Sequence, residues 1–401
     1  MTAILIEMLS QQPINLETPY SSYATVNIIA RPEDREPIDA IVVERQSQMT
    51  DLTQEIESHV QESQQFHRGL TSAVRRLSPE ILSAIFGHCL PKDPPVPSVK
   101  DPPLVLTRVC QRWRSVAMAT PQLWSSLTIS VPRASNASYR FQCDTWLERA
   151  KSVPLVLSVW NVSTCHVDGS LLDWLHGLVA RCLSFLWKGH PLEGLLTGSS
   201  IMELLERLDF DFDVDPFNRW LDFPSIDIAS SASKLSYVRM ALPQQVNSIS
   251  RITLPWAQLT TLDMYGLCFA DILRLFQICA RLQSAQFELP YEDDLQSVIP
   301  GSTINHCLRR LSLTELDSRA GGLLFDALVL PSLEGLEVWD YRANSQWPHT
   351  QFISFLTRSR CPLKRLDLCG NSSARNYFPE YRALLPSCTL NRLQIELQDT
   401  P

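Results

Sequence analysis

The chain has 401 residues, of which 45% are apolar and 19% are charged, so it can fold two or three domains and is not wholly disordered. Only 13 residues are glycine, which disfavours the phosphate-cradling loops of nucleotide chemistry. The net charge of −8 argues against a polyanion-binding surface spread over the whole protein.

The charge is unevenly distributed along the chain. Residues 1–72 carry 4 basic and 11 acidic side chains, whereas residues 73–127 carry 7 basic and 3 acidic ones. The 11 cysteines form no Cys-x-x-Cys pair, which indicates reduced, mostly buried thiols rather than disulfides or a zinc ribbon. No segment has the apolar length of a membrane span or the basic flank of a signal peptide. We therefore expect a soluble cytoplasmic or nuclear protein that binds no membrane.

The N-terminal region divides into a tail and a helix. Residues 1–40 contain four prolines without a sustained period, which predicts a disordered tail. Over residues 41–72 the pattern predicts one long amphipathic helix, which forms a coiled coil or packs as a single helix on the next domain. Apolar residues recur in two rows at seven-residue spacing, and the rows continue to Leu77. One row contains Val42, Met49, Ile56, Leu70 and Leu77, and the other contains Leu52, Phe66 and Ala73. Because Arg45, His59 and Ser63 interrupt these rows, we favour the single helix.

Residues 73–127 contain two predicted short helices. Ser78, Pro79 and Glu80 form a helix start, because they supply a capping oxygen, a residue without an amide hydrogen and a carboxylate at the positive end. The first helix buries Ile81, Ile85 and Phe86, and Pro91 ends it. A proline-rich loop follows at residues 91–103. Asp101 is predicted to cap a second helix whose apolar face runs from Leu106 to Ala117, and Trp124 is a further apolar anchor.

This segment resembles the F-box. The strings RRLSPEILSAIFGHCLP and LVLTRVCQRWRSVAMATPQLWSSL are similar to the F-box-like domains of large fungal families, although Ser78 replaces a usual proline and the 91–103 loop is long. The resemblance implies docking on a Skp-type adaptor and, through it, on a cullin. The residues assigned to adaptor binding are Leu77, Pro79, Glu80, Ile81, Ile85, Phe86, Arg108, Val109, Arg112, Trp113 and Trp124.

The pattern apolar-x-x-apolar-x-apolar repeats through the rest of the chain. It begins at Leu205, Leu235, Leu259, Leu282, Leu308, Leu333, Leu363 and Leu390, so successive units are 23 to 30 residues apart. This spacing is close to the roughly 20 to 29 residues of leucine-rich repeats, with one strand and one helix per unit. Helical patches between the strands include residues 271–282 and 351–358. The pattern predicts a leucine-rich-repeat-like solenoid over residues 128–401, with a conventional α/β domain as the alternative.

The strand face of such repeats is a candidate surface for a target protein. Residues flanking the apolar strand positions point away from the core, and here they include aromatic residues and charges of both signs, the types that dominate binding hot spots. The predicted target-binding residues are Arg207, Asp209, Asp211, Tyr237, Arg239, Asp263, Tyr265, Glu288, Arg310, Glu337, Trp339, Arg365 and Asp367.

Catalytic and metal chemistry find no support in the sequence. The alternating Asp209, Asp211, Asp213 and Asp215 lack the glycine and glutamate of a calcium loop, so we interpret them as the polar face of a strand. Neighbouring residues such as Cys165 and His166 seldom form a nucleophile and base. Basic residues near the F-box-like segment lack the interleaved aromatics of a nucleic-acid site. We expect no enzyme activity, no cofactor, no metal and no nucleic-acid partner.

The sequence therefore predicts an α + α/β protein, in which an N-terminal helix and a small helical F-box precede the solenoid. By resemblance, its role is that of the substrate-recognition subunit of a Skp–cullin–F-box ubiquitin ligase. The alternatives are an interaction scaffold that recruits no ligase and an enzyme whose site has no recognisable motif.

Overall fold

The structure is a computed structural model that combines helices with a large parallel sheet. It describes residues 18–25, 29–161, 168–190, 192, 194–196, 202–212, 225–242, 249–289, 303–316, 318–340, 346–370 and 373–391. The chain divides into two compact units, Met1–Ser78 and Pro79–Pro401.

The first unit is dominated by one long helix, α1 (Pro32–Leu70). It begins at Pro32, before the predicted boundary at residue 41, because proline suits the first helical turn and Glu33 and Asp34 lie at the positive end of the helix. Short 3₁₀ turns lie at Ser21–Thr25 and Ala73–Arg76. The predicted row positions Ala73 and Leu77 therefore lie beyond the end of α1.

The second unit begins with the two predicted short helices, α2 (Pro79–His88) and α3 (Gln111–Ala119). The start at Pro79 is confirmed. The predicted continuous helix from Leu106 to Ala117 is wrong, because a 3₁₀ turn at Val105–Arg108 is separated from α3 by an extended Cys110 (φ −160°, ψ 167°). Asp101 caps neither piece by a side-chain hydrogen bond. Thr107, Val109 and Cys110 are weak helix formers, which favours a break in this segment without fixing its position.

Helices and strands then alternate along the chain. The remaining helices of the described part are α4 (Val131–Ala134), α5 (Ala137–Glu148), α6 (Gly169–Val179), α7 (Phe269–Ile278), α8 (Ser318–Ala327), α9 (His349–Ser359) and α10 (Phe378–Leu384). Helices α7 and α9 confirm the helical patches predicted between the repeats. The amide of Leu171 donates to Asp168 Oδ1 at 2.8 Å and so caps the start of α6.

Eleven strands form one parallel sheet in which spatial neighbours follow chain order. They are β1 (Ser126–Ser130), β2 (Leu155–Asn161), β3 (Cys182–Gly189), β4 (Arg207–Asp211), β6 (Tyr237–Ala241), β8 (Thr261–Tyr265), β9 (Ser284–Glu288), β11 (Arg310–Thr314), β13 (Gly335–Trp339), β14 (Arg365–Cys369) and β15 (Thr389–Asn391). Two further parallel pairs are β5 (Ile226–Asp227) with β7 (Ile252–Thr253), and β10 (Thr303–Ile304) with β12 (Leu328–Val329). Strands β1 to β3 therefore extend the sheet ahead of the first predicted repeat.

The core lies behind the sheet, where the two apolar positions of each repeat align in rows. Leu208 pairs with Val238 and Phe210 with Met240, and all four are buried. The same register continues through β14 with Leu366 and Leu368. These apolar-x-apolar positions confirm the strand part of the repeat prediction, except Leu393 and Ile395, which lie outside the described residues.

Buried polar side chains join neighbouring units. The Asn305 side chain donates to the carbonyl oxygens of Phe276 and Cys279 at 3.1 and 3.2 Å and accepts from the amides of Cys307 and Leu308. Asp271 accepts the amide of Ile249 at 2.8 Å. Each such bond satisfies a backbone group that the irregular segments leave unpaired, so these polar residues tie consecutive units together.

Gly266 is required where the chain leaves β8. Its φ is +73°, and an added Cβ would lie 2.0 Å from the carbonyl oxygen of Leu242, which follows β6. We expect Gly266→Ala to lower the free energy of unfolding by about 2–3 kcal/mol, because it combines backbone strain with a backbone clash. Equilibrium urea unfolding measures this change.

The matched control is Gly177→Ala in α6, where an added Cβ has open space. This substitution is expected to be neutral or to stabilise by less than about 1 kcal/mol, because alanine favours helix. Equal stability of the two variants would contradict the strain assigned to Gly266.

Candidate functional site

Helix α2 exposes apolar side chains on the side opposite the core. Leu82 and Phe86 are 1% and 0% exposed, whereas Ile81 and Ile85 are 51% and 41% exposed, so the predicted burial is confirmed for Phe86 and wrong for Ile81 and Ile85. Ile81 and Ile85 are four residues apart and therefore lie on one face. A solvated helix face is normally polar, so these two isoleucines mark a surface suited to a protein partner.

Aromatic packing holds α2 against the following elements. The rings of Phe86 and Trp113 lie 4.9 Å apart. The Trp124 indole donates to the carbonyl oxygen of Ala117 at 2.9 Å and packs edge-on against Trp146 at 5.0 Å. The Thr120 hydroxyl donates to Ser83 at 3.1 Å and so links the end of α3 to α2. The exposed face of α2 is thus presented by a rigid, well-packed base.

The predicted adaptor-binding residues fall into three groups. Pro79, Glu80, Ile81, Ile85, Arg108 and Val109 are exposed, while Leu77, Arg112 and Trp113 are half-buried. Phe86 and Trp124 are both 0% exposed. The last two residues therefore support the module from inside and present no surface to a partner. Val109 is exposed because the chain breaks between the 3₁₀ turn and α3.

Positive charge accompanies this module. Arg108 and Arg114 are exposed. The pKa of Arg149 is lowered by burial and, secondarily, by the charge of Arg114, so these two guanidinium groups lie close enough to repel. The Arg149 guanidinium also lies 4.4 Å above the ring of Trp124. A cluster of like charges of this kind favours an acidic partner.

The second candidate surface is the polar face of the sheet. Its residues alternate with the buried apolar rows, and the register aligns them in three rows that cross the strands. The first row contains Arg207, Tyr237, Arg310 and Arg365. The middle row contains Asp209, Arg239, Asp263, Glu337 and Asp367, and the last row contains Asp211, Tyr265, Glu288 and Trp339. The structure therefore brings all thirteen predicted residues onto one face, with arginines at one edge and carboxylates toward the other.

Tyrosine and arginine side chains are fixed by their neighbours on adjacent strands. The Arg207 guanidinium stacks over the Tyr237 ring at 3.9 Å, and the Tyr237 hydroxyl donates to Asp263 Oδ2 at 2.7 Å. Burial and this carboxylate raise the pKa of Tyr237. Tyr265 continues the network, since its hydroxyl accepts from the Gln286 amide at 2.7 Å. The aromatic groups are thus held in place before any partner binds.

Arg239 is the central cation of the face. It lies 3.6 Å from Asp209 Oδ2, and its guanidinium lies 5.6 Å from the centre of the Tyr265 ring. Burial lowers the pKa of Arg239, but Asp209 and the neighbouring groups raise it, and the net shift is upward. Burial raises the pKa of Asp209 despite the arginine, and within the described part of the chain Asp209 Oδ1 is buried without a hydrogen-bond partner.

Carboxylates near the last strands are also partly withdrawn from water. Burial and the charge of Glu315 raise the pKa of Glu288. The Trp339 indole donates to Glu337 at 2.8 Å, and the Arg365 side chain donates to Asp367. Asp367 is 1% exposed and presents no surface to a target protein, contrary to its predicted role, and among the described residues its Oδ1 has no hydrogen-bond partner. For the half-buried Glu288 and Glu337, partial desolvation strengthens the interaction of the charge with a complementary partner.

Sequence reasoning missed three residues of this face. Lys188 on β3 lies 3.8 Å from Asp211, Gln286 bonds Tyr265, and Trp160 on β2 is 42% exposed. Gln286 sits between two apolar repeat positions, so the repeat pattern itself was a signal for it. Strands β2 and β3 also fit the repeat spacing, because the aligned Leu157, Phe185 and Leu208 are 28 and 23 residues apart. Extending the repeat pattern ahead of Leu205 would therefore have identified Lys188 and Trp160.

The described ranges contain no group of three or more His, Cys, Asp or Glu arranged for a metal ion. Burial raises the pKa of Cys143 to about 11 and that of Cys279 to about 12, which disfavours the thiolate form of both. Asp209 and Asp211 share the polar face of β4, as predicted. Asp213, Asp215, Cys165 and His166 lie outside the described residues.

Of the helices that the structure describes, none has both the length and the apolar character needed to cross a bilayer. No protein-family model matches the chain, and no curated protein matches it.

Proposed function

We propose that this chain is the substrate-recognition subunit of a Skp–cullin–F-box type ubiquitin ligase. In this proposal the module built by α2 and α3 docks on the Skp adaptor, which connects it to a cullin, and the polar sheet face binds the target protein. The observation that carries the proposal is the exposed pair Ile81 and Ile85 on a helix whose sequence resembles the F-box. The protein acts as a receptor, without catalysis of its own, in the cytoplasm or nucleus.

The proposed platform is a leucine-rich-repeat-like solenoid. Two observations support this architecture: the sheet is parallel with strands in chain order, and strands recur at the repeat spacing. Stacked units of this kind create an extended surface without needing a deep pocket. The polar face has the composition expected of such a surface, because tyrosine, tryptophan and arginine are prominent in binding hot spots.

Direct binding to the adaptor tests the proposal. The intact chain and a purified Skp adaptor are expected to form a complex with a Kd in the micromolar range or tighter, measured by calorimetric titration. Absence of binding at micromolar concentrations would reject the ligase-receptor function. In that case the polar sheet face would support the alternative of an interaction scaffold that recruits no ligase.

We expect the simultaneous replacement of Tyr265, Arg310 and Trp339 by alanine to abolish target capture. The three residues lie on β8, β11 and β13. Their replacement removes two aromatic side chains and one exposed cation from the face. Loss of hot-spot residues costs about 2–4 kcal/mol each in binding, which is enough to eliminate a micromolar interaction. Quantitative mass spectrometry of proteins retained by the immobilised intact chain measures the loss.

A matched control replaces Phe141, Arg274 and Leu384 by alanine, because these exposed residues lie on helices α5, α7 and α10. The control variant is expected to retain the same proteins as the wild type. Unchanged capture by the sheet-face variant would place target binding elsewhere on the chain.

A further inference from the structure

Helix α1 carries a long stripe of apolar side chains that the other described residues of the first unit leave exposed. None of its 39 residues is buried. The stripe residues Val42, Met49, Ile56, Phe66 and Leu70 are between 46% and 65% exposed. Val42, Met49, Ile56 and Leu70 recur at multiples of seven residues, and Phe66 lies four residues before Leu70, so all five follow one side of a helix about 58 Å long at 1.5 Å per residue. Such a stripe is typical of a helix that packs lengthwise on another helix.

A groove lies at the N-terminal end of this stripe. The Tyr23 hydroxyl donates to Asp34 Oδ2 at 2.9 Å and holds the preceding 3₁₀ turn near the helix. Together, the turn and the helix enclose a groove of about 360 Å³, which is lined by Thr18, Tyr20, Tyr23, Ala30, Ile38, Ile41 and Val42. Its lining is mainly apolar and aromatic, so it suits hydrophobic side chains.

Three polar residues, Arg45, His59 and Ser63, interrupt the stripe and distinguish two ways of pairing α1 with a second copy. In a parallel pair, Arg45 would face Arg45 of the second copy and His59 would face His59, which brings like groups together in the seam. In an antiparallel pair centred near residue 54, Arg45 faces Ser63 and His59 faces Met49. The antiparallel pair therefore places polar interruptions mainly against each other and avoids the arginine contact.

The same antiparallel register matches the remaining apolar residues. Leu52 faces Ile56 of the second copy, Val42 faces Phe66, and Ile38 faces Leu70. Because Ile38 and Val42 line the groove, Phe66 and Leu70 of the second copy are directed to it. Both of these side chains are exposed in a single copy, at 59% and 48%.

The charges at the two ends of α1 are complementary in this arrangement. Its first turns carry four carboxylates and one cation, Arg35, after Arg31 at the N-cap; the carboxylates are Glu33, Asp34, Glu36 and Asp39. Its last turn carries His67 and Arg68 and is followed by Arg75 and Arg76. Antiparallel pairing places the acidic end of one copy beside the basic end of the other, and parallel pairing would align like charges. Beside the seam, near the centre of the pair, Glu55 of one copy lies next to Glu55 of the other. This is the repulsive contact of the register.

We propose that α1 self-associates as an antiparallel two-stranded coiled coil, so that a second copy of this chain covers the apolar stripe. The interruptions at Arg45, His59 and Ser63, which from sequence alone favoured a single packed helix, are accommodated by this register. The proposal does not depend on the ligase function, because it uses only residues of the first unit.

Light scattering after size-exclusion chromatography of the full chain tests the self-association. We expect the mass of a dimer for the wild type and for Val43→Asp, since Val43 is 65% exposed but lies outside the seam. Ile56→Asp is expected to weaken the dimer at least about 100-fold, because it places a charge in the seam. A monomeric wild type at about 100 μM, or an unweakened Ile56→Asp dimer, would overturn the proposal.

Ser63→Glu tests the orientation through the sign of its effect. In the antiparallel register the new carboxylate faces Arg45 of the second copy on both sides, so the dimer is expected to tighten about 5-fold or more. In a parallel pair the two glutamates would face each other and weaken the dimer. Circular dichroism of each variant verifies that the helix content is retained, and weakening by Ser63→Glu would reject the antiparallel arrangement.

Discussion

Replacing Ile81 and Ile85 together by aspartate is expected to weaken binding of a Skp adaptor at least about 100-fold. Both side chains project from one face of α2 and are 51% and 41% exposed, so the substitutions add charge to a proposed contact without removing core packing. Burying these carboxylates against an apolar partner surface would leave them unpaired, which is the physical origin of the loss. Calorimetric titration of the full chain with purified adaptor measures it.

The control for this experiment is Phe141→Asp on α5. Phe141 is 72% exposed, so this variant adds a charge at another exposed apolar site of the same unit. It is expected to bind the adaptor like the wild type, and both variants should keep the wild-type melting temperature within a few degrees. If the wild type binds and the double variant binds equally well, the adaptor uses a surface other than this face of α2.

The repeat strands were predictable because their pattern is local. An apolar-x-apolar pair in an extended segment can bury both side chains only on one side of a sheet, and the register of Leu208 with Val238 and of Leu311 with Leu336 follows from it. The flanking positions, including Tyr237, Arg239 and Asp263, then necessarily share the opposite face. The composition of the candidate target surface therefore follows from sequence periodicity.

Features that depend on contacts between distant residues were not predictable in this way. The helix break at Cys110 depends on backbone geometry that competing local propensities do not determine. The side-chain bonds that fix the polar face, such as Tyr237 to Asp263 and Gln286 to Tyr265, join residues more than twenty positions apart. Phe86 is buried as predicted, but neither Phe86 nor Trp124 can contact an adaptor directly, as the resemblance implied, because the two side chains pack onto Trp113 and Trp146.

The buried position of Trp124 indicates that this residue stabilises the fold and does not contact the adaptor directly. The sequence grouped it with residues that contact the adaptor, but its side chain is 0% exposed and lies between the helical module and α5. Substitution should therefore impair adaptor binding through loss of folded protein, whereas substitution of Ile81 and Ile85 should impair binding in a folded protein. Stability and binding measured on the same samples separate the two effects.

Trp124→Ala is expected to lower the free energy of unfolding by about 3–5 kcal/mol. The substitution leaves a cavity beside Trp146, removes the 2.9 Å hydrogen bond to the Ala117 carbonyl oxygen, and ends the stacking with Arg149. Equilibrium urea unfolding followed by circular dichroism measures the change.

The matched control is Trp160→Ala on β2, where the indole is 42% exposed and makes one hydrogen bond to Ser158 at 2.9 Å. It should change stability by less than about 1 kcal/mol, because little apolar area is lost and no closed cavity forms. A Trp124→Ala protein as stable as the Trp160→Ala protein would contradict the packing of the helical module against α5.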